Sequence, residues 1–147
     1  MFHVEPKLLQ LRCWPGLCRY EPVLLRMQQL TATATADTPD QLWLLQHHPV
    51  FTLGVNTQAQ HLHSLSGKIP IVQSDRGGQV TYHGPGQWVG YLLLDLRRLN
   101  LGVKTVVAHI EQVLVTWLHD LGLDATLDSQ ARGVYVAGRK IASLGLR

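Results

Sequence analysis

The sequence predicts an α+β (mixed α/β) fold that is built mainly from short β-strands. Apolar runs of strand length recur along the 147 residues, and only two segments have the spacing of amphipathic helices. The helices come between groups of strands, an order typical of α+β or mixed α/β domains. The length is that of one domain and no linker or internal repeat interrupts it, so residues 1–147 are expected to form a single domain.

The first half of the chain is predicted to contain one helix among several strands. Pro22 suits the first turn of a helix, and Val23 and Met27 follow at helical spacing. A short edge strand that leads into a turn at Pro15-Gly16 precedes this helix. The predicted elements are an edge strand at 8–11, a helix at 20–30, loops at 31–39 and 58–68, and strands at 41–46, 50–54 and 69–73.

The second half has the clearest helical pattern, at 104–121, where Gly122 follows as a stop signal. The largely continuous apolar run at 88–96 predicts a strand buried on both faces. A loop is predicted at 124–132, followed by strands at 133–137 and 140–146 that form a hairpin around Gly138-Arg139. The helix face predicted to pack on the sheet carries Val106, Ile110, Val113, Leu114, Trp117, Leu118 and Leu121.

The stretch 76–91 reads Arg-Gly-Gly-Gln-Val-Thr-Tyr-His-Gly-Pro-Gly-Gln-Trp-Val-Gly-Tyr. Its glycines and proline bracket a short strand-like run at 79–82, and glycine lets a backbone approach a ligand closely because it has no Cβ. Ordinary hairpin punctuation is the alternative, and composition alone does not decide between them. The polar groups that favour a pocket wall are those of Arg76, Gln79, Thr81, Tyr82, His83 and Gln87.

Several function classes are disfavoured. No lysine follows the glycines as in a P-loop, and their spacing is not that of the dinucleotide fingerprint. The net charge of +3 comes without the dense basic cluster and interleaved aromatics of a nucleic-acid surface. No apolar run approaches the roughly 20 residues of a membrane span. The first residues resemble neither a signal peptide nor a transit peptide, so a cytoplasmic location is expected.

The cysteines and histidines do not predict a metal site. Cys13 and Cys18 cannot form a structural zinc site alone, their spacing is not that of a redox pair, and reduced thiols are expected. A cluster of histidines lacks acidic or cysteine ligands at a recognisable spacing, which favours solvated or packing side chains. These histidines are His47, His48, His61 and His63.

The motifs of the glycine-rich stretch resemble the signature of the lipoyl(octanoyl) transferase family. They are Arg76-Gly77-Gly78, Thr81-Tyr82-His83, Gly86-Gln87 and Tyr91, with matching flanks at 48–52, 95–98, 133–136 and 140–147. The resemblance implies a central mixed β-sheet flanked by helices, as in the catalytic domain of the biotin and lipoate protein ligases.

The resemblance also implies an activity. In this family an octanoyl or lipoyl group passes from acyl carrier protein to a cysteine of the enzyme. It then passes to a lysine of the lipoyl-carrier domains of 2-oxoacid dehydrogenases or of the glycine cleavage H protein. The thioester donor is already activated, so neither ATP nor a cofactor is implied. An acidic carrier protein suits the mild positive charge of this chain.

Specific residues take roles through the same resemblance. Lys140 matches a lysine beside the catalytic cysteine, where an ammonium favours the thiolate and lowers the pKa of the thiol. Ser143, Leu144 and Gly145 match a segment that lines the acyl substrate. The remaining substrate-binding residues are expected to be Arg76, Gly77, Gly78, Gln79, Val80, Thr81, Tyr82 and His83.

The position of the nucleophile departs from the family pattern. There the cysteine lies downstream of the lysine segment, whereas the cysteines here are Cys13 and Cys18. The chain is therefore expected to lack the C-terminal part that carries the nucleophile. Two alternatives are a non-catalytic fragment that binds the acyl substrate without turnover, and an ATP-dependent ligase of the same fold.

Overall fold

The computed structural model describes residues 9–58, 67–128 and 132–147. The chain divides into two compact units, which are described separately below. The N-terminal unit is Met1–Asp95 together with Arg147, and the C-terminal unit is Leu96–Leu146. A single domain over 1–147 stays a prediction from the sequence. No helix within the described ranges is long and apolar enough to cross a membrane.

The N-terminal unit contains mixed sheets, as the predicted fold class requires. The elements are β1 (Gln10–Cys18), α1 (Tyr20–Ala32), β2 (Gln41–His47), β3 (Val50–Leu53), β4 (Ile71–Gln73), β5 (Val80–His83) and β6 (Val89–Leu93). In the described part of the unit, β1 pairs parallel and β6 antiparallel with β2, while β4 pairs parallel and β5 antiparallel with β3. Two three-stranded sheets result, in the orders β1-β2-β6 and β4-β3-β5.

Strand β2 supplies much of the core of this unit. Its side chains alternate between buried and half-buried positions, so Trp43, Leu45 and His47 point to the same buried face. The Trp43 ring packs on the Trp14 ring of β1, with centroids 5.1 Å apart, and its indole N–H donates to Gln41 Oε1 (2.9 Å). The strand prediction at 41–46 is confirmed. His47 is as completely buried as Leu45.

Two strand predictions in this unit are wrong in extent. Strand β1 does not turn at Pro15-Gly16 but continues to Cys18, because a register irregularity between Cys13 and Leu17 accommodates both residues in the strand. Strand β6 is not buried on both faces and ends at Leu93. Its side chains alternate between half-buried and exposed positions, as expected for a strand with one covered face.

The C-terminal unit packs a long helix on an antiparallel sheet with the strand order β7-β8-β9. The core contains Val115 and Leu118 from α3, Ala125 from β7 and Val134 from β8. The long helix is thus confirmed. The elements are α2 (Leu96–Leu99), α3 (Val103–Asp120), β7 (Ala125–Leu127), β8 (Val134–Val136) and β9 (Arg139–Ala142).

Three predictions for this unit are wrong in detail. Part of the predicted loop 124–132 is strand β7, because it pairs with β8; residues 129–131 lie outside the described ranges, as do 59–66 of the loop 58–68. Strand β9 ends at Ala142 instead of residue 146. The hairpin turns at Ala137-Gly138, whose φ values of 49° and 71° match the two-residue turn that suits strand twist.

The predicted buried face of α3 also needs correction. Val113, Trp117 and Leu121 are more than half exposed, whereas Val107 and Val115 are buried. The helix is apolar over more of its circumference than one face can bury, so i, i+3, i+4 spacing alone did not identify the side that contacts the sheet.

Candidate functional site

The first part of the glycine-rich stretch, residues 76–79, lies in the loop between β4 and β5 and is called the glycine loop below. The segment after β3 fixes this loop, because the amides of residues 54–56 donate hydrogen bonds to its carbonyls. Because these donors are consecutive, they fix the loop backbone at several points along its length. The bonds run from Gly54 to Gln79 (3.2 Å), from Val55 to Arg76 (3.0 Å) and from Asn56 to Gly78 (3.1 Å).

Gly54 has no room for a side chain. A Cβ built at this position overlaps Gly78 O, and it lies 2.8 Å from Gly78 C and 2.9 Å from Arg76 Nη1. Gly78 is required for a different reason, since its φ of +84° is a conformation that other residues rarely adopt. One glycine therefore allows two backbones to meet, and the other allows the loop to turn.

The Arg76 guanidinium is directed at the protein's own acceptors. Its Nε donates to Thr52 Oγ1 (3.2 Å), Nη1 donates to Gly77 O (2.8 Å), and Nη2 lies within 2.8 Å of Thr52 O, Thr52 Oγ1 and Gln79 O. Burial lowers the pKa of this half-buried arginine. The planar fork thus links the loop to β3, and direct binding of substrate by Arg76 stays a prediction.

His83 is held in one neutral tautomer. Its Nδ1 lies 2.7 Å from Gln87 Oε1, and the Gln87 amide donates on to Tyr82 O (3.3 Å). Since an amide oxygen only accepts, the His83 proton is on Nδ1 and the Nε2 lone pair faces Thr52 Oγ1 at 3.5 Å. The Thr52 hydroxyl accepts from Arg76 and has its own proton to donate, with His83 Nε2 and Thr81 O (3.4 Å) as the acceptors in reach, so it joins the glycine loop to His83.

A second histidine lies behind the loop. His47 is fully buried; its Nδ1 donates to Cys18 O (3.0 Å), and its Nε2 accepts from the Tyr91 hydroxyl (2.8 Å). Burial raises the pKa of Tyr91, which keeps this donor protonated. The Tyr20 ring contacts His47 edge-on at 5.1 Å and stacks on His83 at 6.0 Å. These rings form one packed aromatic cluster.

We expect the N-terminal unit to lose stability as the pH falls below about 6.5, the ordinary pKa of histidine. Burial, with nearby positive charge, lowers the pKa of both His47 and His83, so the unfolded chain binds more protons in this range. The contribution is fully present above pH 6.5 and is lost toward the lower folded pKa values. Denaturant unfolding monitored by tryptophan fluorescence between about pH 5 and pH 8 measures it.

A double variant, His47→Gln with His83→Gln, provides the control for this prediction. It removes both titrating groups, so its unfolding free energy should depend less on pH than that of the wild type in the same range. A wild-type free energy that rises, or stays constant, as the pH falls from about 7 to about 5 would contradict the assignment.

The other predicted residues of the glycine-rich stretch fall into two groups. Tyr82 is 45% exposed and rests on the Phe51 ring at 5.5 Å. Gly78 and Gln79 are also exposed, which leaves the outer side of the loop open. Those that are half-buried are Arg76, Gly77, Val80, Thr81 and His83.

Lys140 belongs to the C-terminal unit and lies at the start of β9. It is exposed, and its ammonium is 5.3 Å from the centroid of the Tyr135 ring on the neighbouring strand. Ser143 and Gly145 follow in the irregular segment 143–147 and are exposed.

Leu144 of the same segment lines a small cavity of about 150 Å³. Apolar side chains form most of its wall, and two cations complete it. The lining residues are Val103, Lys104, Val107, Arg132, Leu144 and Leu146. The role of Leu144 in acyl binding stays a prediction.

The cysteines and histidines show no metal centre in the part of the chain that the structure describes. No group of three His, Cys, Asp or Glu residues in that part could hold an ion, and His61 and His63 lie outside it. Cys13 is exposed and Cys18 half-buried; both are free thiols on β1.

Sequence reasoning missed the residues that support the glycine loop. The sequence predicts Thr52 as part of a strand and of a flank that matches the family, Gly54 as part of the same strand, and Tyr20 as the start of a helix. The available signal was polar or small residues at buried positions of short strands, where a threonine or histidine needs a partner. His47, at an inward position of the alternating strand β2, was the clearest case.

The comparisons with known proteins agree on the family. Residues 20–147 match the family model described as the lipoyl protein ligase A/B catalytic domain. The octanoyltransferase of Laribacter hongkongensis is 54% identical over 132 residues, which are 90% of this chain and 63% of that protein. The octanoyltransferase of Ectopseudomonas mendocina is 57% identical over 132 residues, 90% of this chain and 64% of that protein. The chain thus spans less than two thirds of the length of these relatives.

Solved structures show the same fold at low identity. Protein Ta0514 of T. acidophilum with bound lipoic acid superposes with a TM-score of 0.68 at 17% identity, over 90% of this chain and 59% of that chain. A bi-partite lipoate protein ligase from Thermoplasma acidophilum gives 0.62 at 16%, over 88% and 50%. The predicted α+β class is thereby confirmed. Because the family model matches most of its length, this chain belongs to the lipoyl protein ligase A/B catalytic domain family.

Proposed function

We propose that the protein transfers an octanoyl or lipoyl group from acyl carrier protein to a lysine of a lipoyl-carrier domain. The observation that carries this proposal is identity of 54% or more, over 132 residues, to proteins named octanoyltransferase. The glycine loop supports it, since its carbonyls are engaged by residues 54–56 and by Arg76 while its outer side stays open. Such a loop is set before the ligand arrives, which reduces the cost of binding.

The chemistry proceeds through two acyl transfers. A thiolate attacks the thioester carbonyl and the thiolate of the carrier leaves; the amine of the acceptor lysine then attacks the new thioester, loses a proton and releases the thiol. Lys140 is the residue proposed to favour the thiolate through its positive charge. In the family pattern this thiol belongs to a cysteine that follows the Lys140 segment, and neither Cys13 nor Cys18 has that position.

The proposed partners are those that the family resemblance implies. The donor is octanoyl-acyl carrier protein. The acceptors are lipoyl-carrier domains of 2-oxoacid dehydrogenases and of the glycine cleavage H protein, and the reaction is placed in the cytoplasm. One structural relative was solved as part of a lipoylation system with its E2 lipoyl domain, which supports an acceptor of this kind.

A second candidate function is ATP-dependent acyl ligation. The observation that favours it is the fold shared with lipoate protein ligases, at identities of 17% or less. The two reactions differ in the donor: a ligase uses free octanoate with ATP, whereas a transferase uses the carrier thioester alone.

The deciding experiment supplies each donor separately to the protein that includes the cysteine-bearing segment. An apo lipoyl domain serves as acceptor, and intact-mass spectrometry detects the acyl group. We expect acylation from octanoyl-carrier protein without ATP, together with a trapped acyl-enzyme. Acylation only from octanoate with ATP would replace the proposal by the ligase. Saturable binding of donor without turnover by either route would favour the non-catalytic alternative.

Lys140→Ala should slow acyl-enzyme formation near pH 7 by about tenfold and move its rate profile to higher pH. The reason is that the thiol, without the neighbouring ammonium, has a higher pKa and forms less thiolate. Single-turnover kinetics across the pH range measures both effects.

Lys68→Ala is the matched control for this test, because it removes an exposed lysine from the N-terminal unit. Lys140→Arg keeps the charge but changes its shape and reach, so partial activity is expected. A Lys140→Ala profile that coincides with the wild type would remove Lys140 from the mechanism.

A further inference from the structure

Lys140 and Tyr135 are directly paired across the β8–β9 hairpin. Residues opposite each other in an antiparallel pair project to the same face of the sheet, within reach of one another. The ammonium lies 5.3 Å from the centroid of the Tyr135 ring, inside the range at which an aromatic face attracts a cation. The register of the hairpin thus brings the proposed catalytic lysine onto an aromatic ring.

Gly133 determines the path of the lysine stem. A Cβ built on Gly133 would lie 3.2 Å from Lys140 Cε and 3.4 Å from Cδ, so the stem passes closely over this glycine. The same Cβ would be 2.5 Å from Ala142 O, which is backbone and cannot rotate away. Two contacts therefore hold the Lys140 side chain: its methylene groups pass over Gly133, and its ammonium lies near the Tyr135 ring.

The kind of group beside Lys140 decides whether its positive charge stays available to another group. Among the residues that the structure describes, no carboxylate lies within ion-pair distance of Lys140. A carboxylate would neutralise the ammonium and compete with a thiolate for it. An aromatic face holds the cation through its quadrupole and leaves its net charge and N–H donors available.

We propose that Tyr135 and Gly133 are positioning residues that hold the Lys140 ammonium in a fixed place for its proposed role in acyl transfer. This inference rests on the proposed function. Beyond that function, the inference assigns the position of the Lys140 ammonium to an aromatic ring that strand pairing holds in place.

The first test needs no activity. The sequence contains four lysines, so their side-chain Hε and Cε signals can be resolved in an NMR spectrum and assigned with a Lys140→Met variant. A proton above an aromatic face is shifted upfield by the ring current. We expect the Lys140 Hε signal upfield of the other three, and expect it to return to their position in Tyr135→Leu but not in Tyr135→Phe. A Lys140 signal that does not respond to Tyr135→Leu would overturn the inference whatever the protein catalyses.

The second test uses the acyl-transfer assay in a double-mutant cycle. Tyr135→Leu should slow acyl-enzyme formation about threefold at neutral pH, shift its profile to higher pH and leave KM for the carrier protein unchanged. Tyr135→Phe should restore the rate. In a Lys140→Ala background, Tyr135→Leu should have no further effect on the rate, because the proposed role of the ring is exerted through the lysine.

The outcomes separate the possible failures. An equal loss from Tyr135→Leu in both backgrounds would show a merely structural role and overturn the inference. Leu127→Ala, which shortens an exposed side chain of the same sheet, controls for general loss of stability. If Lys140→Ala itself changes nothing, the role proposed for Lys140 fails, and the positioning role of Tyr135 fails with it, even if the NMR contact is present.

Discussion

Gly54→Ala should destabilise the N-terminal unit by roughly 3 kcal/mol or more and abolish acyl transfer. The added methyl group overlaps the Gly78 carbonyl and lies 2.9 Å from Arg76 Nη1, so backbone must move. Any such shift also weakens the hydrogen bonds that residues 54–56 donate to the glycine loop. Denaturant unfolding monitored by tryptophan fluorescence measures the stability, and the acyl-transfer assay measures the function.

Gly90→Ala is the matched control, because it adds the same methyl group in the same unit. A Cβ at Gly90 makes ordinary contacts with Leu44 and Leu42 at 3.6 and 3.8 Å, so its effect should stay within about 1 kcal/mol. Should Gly54→Ala and Gly90→Ala unfold at the same denaturant concentration, the close approach of Gly54 to the loop would be refuted.

The chemical character of the glycine-rich stretch could be predicted from sequence, but its support could not. Gly77 and Gly78 predict a turn, and the residues before Lys140 predict a hairpin. Both predictions are possible because turn preferences depend on a few neighbouring residues. The partner of the Arg76 guanidinium is Thr52, which lies 24 positions earlier in the chain. Nothing in one sequence relates these two residues, since the pairing of β3 with β4 and with β5 brings them together.

The same distinction explains the errors in secondary structure. Strand β7 has little apolar pattern of its own and exists because β8 pairs with it, so a local analysis assigned it to a loop. Pro15 and Gly16 usually end a strand, but β1 carries them through a register irregularity. In both places tertiary pairing overrode the local preference.

Arg76 and Lys140 show that the residue type of a cation near a motif does not indicate whether its role is structural or catalytic. Both were predicted site cations. The Arg76 donors point to carbonyl and hydroxyl oxygens of the loop and of β3, so the guanidinium holds these two segments together and is called the Arg76 clamp below. Within the described ranges no comparable set of acceptors is seen for Lys140, whose ammonium lies 5.3 Å from the centroid of the Tyr135 ring. This difference supports the proposal that Lys140, and not Arg76, supplies the charge for acyl transfer.

Arg76→Lys should therefore be damaging although it keeps the charge. An ammonium cannot reproduce the planar fork that reaches Thr52, Gly77 and Gln79 together, so several charge-assisted hydrogen bonds are lost in a half-buried place. We expect the unfolding free energy of the N-terminal unit to fall by about 3 kcal/mol. Denaturant unfolding measures this loss, and the acyl-transfer assay should show weaker donor binding because the loop is no longer held.

Arg12→Lys is the matched control, since Arg12 is exposed on β1 and has a single long side-chain bond of 3.4 Å to Gln10. Its effect should be within about 0.5 kcal/mol. If Arg76→Lys kept wild-type stability but raised only the KM for the donor, the guanidinium would be contacting substrate and the Arg76 clamp would be refuted. If stability and donor binding fall together, Arg76 acts on the reaction through the shape of the loop.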